Sequence, residues 1–158
     1  MNLIKNGNFT TQTLSPWTSA TIEKPSFEPY KGGGTESGYS LLLTPSTDIQ
    51  QKIEVSMPDK DFKLSWELDA CIDSKASLGK WLFIIATARV DNKFFIDQVL
   101  FTELTHEWKK FKYQGTMNFP KDHEGLYLQV ISARKVDGEG TSDSPIQIAN
   151  IGLEASYL

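Results

Sequence analysis

The segment FKLSWELDA, residues 62–70, alternates without a break, with Phe62, Leu64, Trp66, Leu68 and Ala70 on one side and Lys63, Ser65, Glu67 and Asp69 on the other. Successive side chains of an extended strand point to opposite faces, whereas the apolar residues of a helix recur every three to four positions. The segment therefore predicts a strand of an antiparallel sheet with one face in a core. GLYLQVISA repeats the pattern, setting Leu126, Leu128 and Val130 against Tyr127, Gln129 and Ile131. KWLFIIATARV is apolar on both faces, and Asp91-Asn92 turns it into KFFIDQVLFTEL, so residues 81–103 read as a hairpin. The C-terminal PIQIANIGLEASYL is a last strand with a bulge near Ala149-Asn150, where the apolar spacing slips from Ile148 to Ile151.

YSLLLTP, DIQQKIEVSMP and EWKKFKYQGTMNF add short strand candidates bounded by Pro, Gly, Ser or Asp. At the N-terminus, Leu3 and Ile4 are strand formers and Asn6-Gly7 suits a tight reversal, so the fold is expected to begin on a strand at residue 2. Helical periodicity with a capping box is missing throughout. Roughly eight to ten strands without helical crossovers predict an all-β antiparallel sandwich of the jelly-roll kind. The longest stretch without alternation, Ser19 to Gly38, contains Gly32-Gly33-Gly34 and reads as a functional or mobile loop.

A chain of 158 residues with no linker or repeat is expected to form one domain, residues 1–158. Its net charge of -4 and the lack of any basic cluster beyond Lys109-Lys110 argue against nucleic acid. No segment approaches the ~18 apolar residues of a membrane helix, and no signal peptide is recognisable. The localisation is then left between cytoplasmic synthesis with later release or assembly, and secretion with a leader removed. The single Cys71, at the end of a strand pattern, reads as a buried thiol.

The order NLIKNGNF with a following Trp, YSLLL, IQQKIEVSMPDKDFKLSWELDA, the WLFIIATARV hairpin, HEWKKFKYQGTMNF, LYLQV and IQIANIGL resembles carbohydrate-binding modules of the galactose-binding-like jelly-roll type, relatives that attach to xylan, cellulose or glucan enzymes. The resemblance implies non-catalytic, lectin-like binding of a polysaccharide or cell-surface glycan. It also implies a structural calcium held by an acidic residue after NGxF and another in the last strand. Here Thr10 and Ala149 stand at those positions, which disfavours the metal and leaves Asn6 and Asn8 as weak candidate donors.

Sugar recognition needs flat aromatic surface and paired polar groups. If Leu64, Trp66 and Leu68, then Leu82, Ile84, Ala86 and Ala88, then Leu126, Leu128 and Val130 face the core, parity puts Glu67, Asp69, Trp81, Phe83, Arg89, Tyr127 and Gln129 on the opposite side. Those residues, with Tyr30 closing one end, form the expected ligand site. Trp66, mid-run in an alternating strand, reads as core, the resemblance implies packing roles for Trp17 and Trp108, and Arg89 with Asp69 also reads as a cross-strand pair. Catalysis finds no constellation: His106 and His123 each precede a Glu that a strand would point away, and Glu67 with Asp69 is the sole same-face carboxylate pair singled out. The alternative function is a protein-interaction or structural subunit of a bacterial coat, crystal, toxin complex or phage appendage.

Overall fold

A computed structural model describes residues 1–32, 38–44, 47–53, 62–72, 79–90, 93–117, 125–137, 140–142 and 145–157. Side chains are described for these except residues 62, 79–90, 93–103, 117, 125–126, 132–137, 140–142 and 157. In chain order the strands are β1 (Phe27–Pro29), β2 (Tyr39–Leu43), β3 (Asp48–Ile53), β4 (Phe62–Ile72), β5 (Gly79–Val90), β6 (Lys93–Leu104), β7 (Lys109–Met117), β8 (Gly125–Asp137), β9 (Gly140–Ser142) and β10 (Ile146–Tyr157). They form two sheets, β1-β2-β10-β4-β7 and β3-β8-β5-β6 with β9 on β8, and every pairing is antiparallel. The expected all-β sandwich is what the chain forms.

Alternation decides which face of each sheet is inside. In β4, Leu64, Trp66, Leu68 and Ala70 are buried in the core, as expected, and they meet Leu41, Leu43, Ile146, Ile148, Ile151 and Leu153 of the same sheet. Ile49, Ile53, Leu128 and Val130 supply the facing layer. Burying a side chain of this size contributes on the order of 1.5–3 kcal/mol, so this double layer dominates the fold's stability. The outer strand β7 carries Lys109, Lys110 and Lys112, charges that discourage pairing with another chain's edge.

The bulge expected in the last strand is present: the β10 register against β4 shifts between Ala149 and Gly152, and Asn150 takes a positive φ of 50°. The extra residue re-phases the strand, so that Ile146 and Ile148 before it and Ile151 and Leu153 after it all reach the core. The side chains of β5, on which the expected inward set Leu82, Ile84, Ala86 and Ala88 bears, lie outside the described residues, and the backbone register alone is described. Core residue Val130 pairs with Ile85, while Ile84 and Ala86 pair with Ile131 and Gln129, and the register breaks between Leu82 and Ile84 and again between Ala86 and Ala88. Bulges at those points interrupt the simple period that the apolar-on-both-faces sequence had concealed.

The N-terminus also differs from expectation. Residues 1–4 are not a strand; Leu3 N–H donates to the Leu153 carbonyl at 2.8 Å, and Asn2 Oδ1 accepts from the Ile4 and Leu153 amides at 3.0 Å each. Asn6-Gly7 does form the reversal, with Asn6 at φ 52°. Gly7 lies so close to the Ile151 carbonyl that a Cβ would collide with it, which is why the glycine is needed here. Gln51, inward-facing and 3% exposed, clamps the segment by donating to the Lys5 carbonyl and accepting from its amide, both at 2.8 Å.

Asn6 Nδ2 donates to the Thr13 and Ser15 carbonyls at 2.9 and 3.1 Å, and the Trp17 indole donates to the Asn6 carbonyl at 3.1 Å. A neutral amide thus ties together the loop. Neither acidic ligand of the calcium that the resemblance implies is present, since Thr10 is exposed and Ala149 is a buried methyl without an oxygen to offer, although Asn6 Oδ1 is buried without a hydrogen-bond partner.

Two predictions follow from these contacts. Asn6→Ala loses two hydrogen bonds and puts a strained residue at positive φ, so it should lower the unfolding free energy by about 2 kcal/mol in urea titrations, whereas EDTA should leave the wild-type midpoint unchanged. Trp17 and Trp66 are equally buried, but only the Trp17 indole N–H has an acceptor; Trp66 Nε1 has none. Trp17→Phe should therefore cost about 1 kcal/mol more than Trp66→Phe, since removing an unsatisfied donor relieves a penalty.

Candidate functional site

The expected ligand residues divide between the two sheets. Glu67 and Asp69 belong to β4 in the first; Trp81, Phe83 and Arg89 of β5 and Tyr127 and Gln129 of β8 belong to the second. They do not share one face, and a β4–β5 cross-strand pair between Asp69 and Arg89 is ruled out because β4 is flanked by β10 and β7. No local pattern signals that strands adjacent in the chain here enter different sheets. The side chains of Trp81, Phe83 and Arg89 lie outside the described residues.

On the outer face of the first sheet, Asp69 is 2% exposed and sits at the centre of a polar cluster. Its Oδ2 accepts from the Tyr30 hydroxyl at 2.8 Å and from Asn150 Nδ2 at 2.9 Å, and its Oδ1 lies 3.7 Å from Lys110 Nζ. Lys110 also lies 3.7 Å from Glu67, whose other oxygen is 3.8 Å from Lys112. Both carboxylates thus converge on one ammonium, the arrangement of a cross-strand charge network. Tyr30, expected to close one end of a cleft formed by seven other residues, belongs to this cluster on the first sheet.

On the outer face of the second sheet, β3 and β8 lie in register: Asp48 opposite Ile131, Gln50 opposite Gln129 and Lys52 opposite Tyr127. Strand alternation puts these six on the side away from Ile49, Leu128 and Val130. Gln129 is 7% exposed, and its Nε2 donates to Asp48 Oδ2 at 3.1 Å. The other oxygen of Asp48 accepts from the Thr21 hydroxyl at 2.8 Å, and the Asp48 amide donates back to that hydroxyl at 2.8 Å. Thr18 bridges the open edge of β3, exchanging backbone hydrogen bonds with Gln50 at 2.8 and 2.9 Å.

The relay has a chemical consequence. A carboxylate accepts only, so the Gln129 amide must turn its NH₂ toward Asp48 and its carbonyl away. That carbonyl oxygen, Gln129 Oε1, is buried without a donor, and so is Oε1 of its register partner Gln50. Two neighbouring acceptors on one sheet face are thus left without a hydrogen-bond donor. Half-buried Tyr127 and the exposed Lys52 follow one step along the ladder. Asp48, Gln50 and Thr21 escaped sequence reasoning, although the alternation of DIQQKI already separated Asp48, Gln50 and Lys52 from Ile49, Gln51 and Ile53. Among the described residues, no three His, Cys, Asp or Glu side chains gather to hold a metal, and no helix is long and apolar enough to cross a membrane.

No protein-family model matches the chain, and no curated protein does. Solved structures do. One described as Family 16 Carbohydrate Binding Module-2 superposes with a TM-score of 0.60 at 15% identity, over 97% of this chain and 99% of the other. The CBM22-2 xylan-binding domain of Paenibacillus barcinonensis Xyn10C gives 0.60 at 13% identity, over 96% and 98%. The enzymatically active domain of bacteriophage CBA120 tailspike protein 4 gives 0.56 at 14% identity, over 98% of this chain but only 21% of the tailspike chain. The chain has the β-sandwich fold of carbohydrate-binding modules along nearly its whole length.

Proposed function

We propose that this chain is a non-catalytic glycan-binding module that takes a β-linked oligosaccharide on the outer face of its second sheet. Gln129 Oε1 and Gln50 Oε1 accept hydrogen bonds from sugar hydroxyls, and Tyr127 supplies aromatic surface beside them. The observation that carries this reading is the pair of buried, donorless amide oxygens. Leaving such an acceptor unsatisfied costs roughly 1–3 kcal/mol, which a ligand hydroxyl recovers when the amide side chain turns outward to meet it.

The chemistry of the face narrows the ligand further. Asp48 behind Gln129 places negative charge at the site, so donors are favoured over phosphate or carboxylate groups. A β-linked chain is extended and fits a pleated face, and the sandwich fold is shared with a domain described as xylan-binding. The alternative of a protein partner adding a strand to β3 is disfavoured, because Thr18 already occupies that edge at Gln50.

Calorimetric titration with xylohexaose, cellohexaose and β-1,4-galactotriose tests the reading. The wild type should bind at least one of them saturably. Gln129→Leu keeps the volume and removes an orphaned acceptor, so it should bind at least tenfold more weakly, a loss of about 1.4 kcal/mol, while its melting temperature stays within about 4 °C of wild type. Absence of wild-type binding to all three sugars, or a variant that binds as well as wild type, would overturn it.

A further inference from the structure

The Asp69 cluster continues into a cleft that the second-sheet site does not use. On the outer face of the first sheet lies a cavity of about 510 Å³, lined by Glu28, Lys31, Cys71, His106, Trp108 and Gln147 among others. Trp108, half-buried, forms one wall. Its ring meets that of Tyr30 edge-on, with centroids 4.8 Å apart and planes at 70°. The Tyr30 hydroxyl is anchored on Asp69, and Asp69 on Asn150 and Lys110, so the aromatic wall is fixed before any ligand arrives.

The polar side of the cleft is ordered as well. Gln147 Nε2 donates to Glu28 Oε2 at 3.0 Å, and Ser40 Oγ donates to Gln147 Oε1 at 3.3 Å. Cys71 lies at the base, 4% exposed, opposite Gln147 in the β10–β4 register. Charges of both signs ring the opening: Glu28 and Glu107 against Lys31, with His106 beside them. Two carboxylates against one lysine leave the rim mixed and slightly acidic, which disfavours an anion. A neutral ring with one apolar face and several hydroxyls meets an aromatic wall on one side and an amide–carboxylate pair on the other.

We propose that this cleft is a second carbohydrate subsite, which stacks a single pyranose or a chain end on Trp108 and takes its hydroxyls with Glu28 and Gln147. It extends the glycan-binding reading above but uses none of the same residues. The two sites lie on the outer faces of opposite sheets, which would let one molecule join two glycan chains.

The test is calorimetry with β-1,4-galactotriose and xylohexaose on wild type, Trp108→Ala, Glu28→Ala and Gln129→Leu. Glu28 is exposed, so its variant serves even if the tryptophan variant fails to fold. Two sites per chain in wild type, and one in Trp108→Ala and in Glu28→Ala, are the expected results. Binding that survives Gln129→Leu but is lost in Glu28→Ala would also support this cleft, while refuting the second-sheet site. One site per chain in wild type, with affinity unchanged in Trp108→Ala and Glu28→Ala, would overturn the proposal.

Discussion

The bulge at Asn150 is the constraint on which much of this structure turns. β10 runs between β2 and β4, and an unbroken alternation through it could not place both its Ile146/Ile148 and its Ile151/Leu153 pairs in the core. The extra residue resolves that conflict at the cost of a residue in the left-handed region, where asparagine is among the better tolerated side chains. The same irregularity sends the Ile151 amide to the Gly7 carbonyl at 2.9 Å, docking the N-terminal reversal, and brings Asn150 Nδ2 to Asp69. One backbone feature therefore phases the core, seats the N-terminus and organises the outer face.

Each outer face is ordered by a buried or half-buried acid. On the first sheet, Asp69 gathers Tyr30, Asn150 and Lys110, and through Tyr30 it positions Trp108. On the second, Asp48 is fixed by Thr21 and in turn fixes the amide of Gln129. The difference lies in what is left over. Asp69 Oδ2 takes two hydrogen bonds and its Oδ1 faces the Lys110 ammonium at 3.7 Å, whereas the relay from Asp48 ends on two neutral amide oxygens with no donor. Burial makes that imbalance energetically significant, since an acceptor left without a hydrogen bond keeps its desolvation cost.

Much of the fold was legible because local alternation reports burial directly. The inward set of β4 with Trp66, the bulge in β10 and the buried Cys71 follow from spacing within single segments, whereas the packing role of Trp17 followed from the family resemblance. Sheet membership was not legible, because it depends on pairings between strands far apart in the chain. Nothing local says that β3 pairs with β8, or that β4 and β5 enter different sheets, and so the candidate site was assembled across a boundary that the fold does not cross. Parity in β5 was open for another reason: a segment apolar on both faces carries no phase. Gln129 and Tyr127 were found by alternation in β8, while Asp48 and Gln50 emerge only once their strand is set beside it.

Side-chain amide resonances offer the most direct view of the central claim, because each glutamine NH₂ reports on the carbonyl bonded to the same carbon. Nitrogen–proton correlation spectra recorded while xylohexaose or β-1,4-galactotriose is added would follow Gln50, Gln129 and the indole of Trp108 in one titration. The account predicts saturable shifts of both glutamine side chains with a common midpoint, as their donorless oxygens take hydrogen bonds from the sugar. Saturable binding that moves other resonances but leaves Gln50 and Gln129 in place would contradict it.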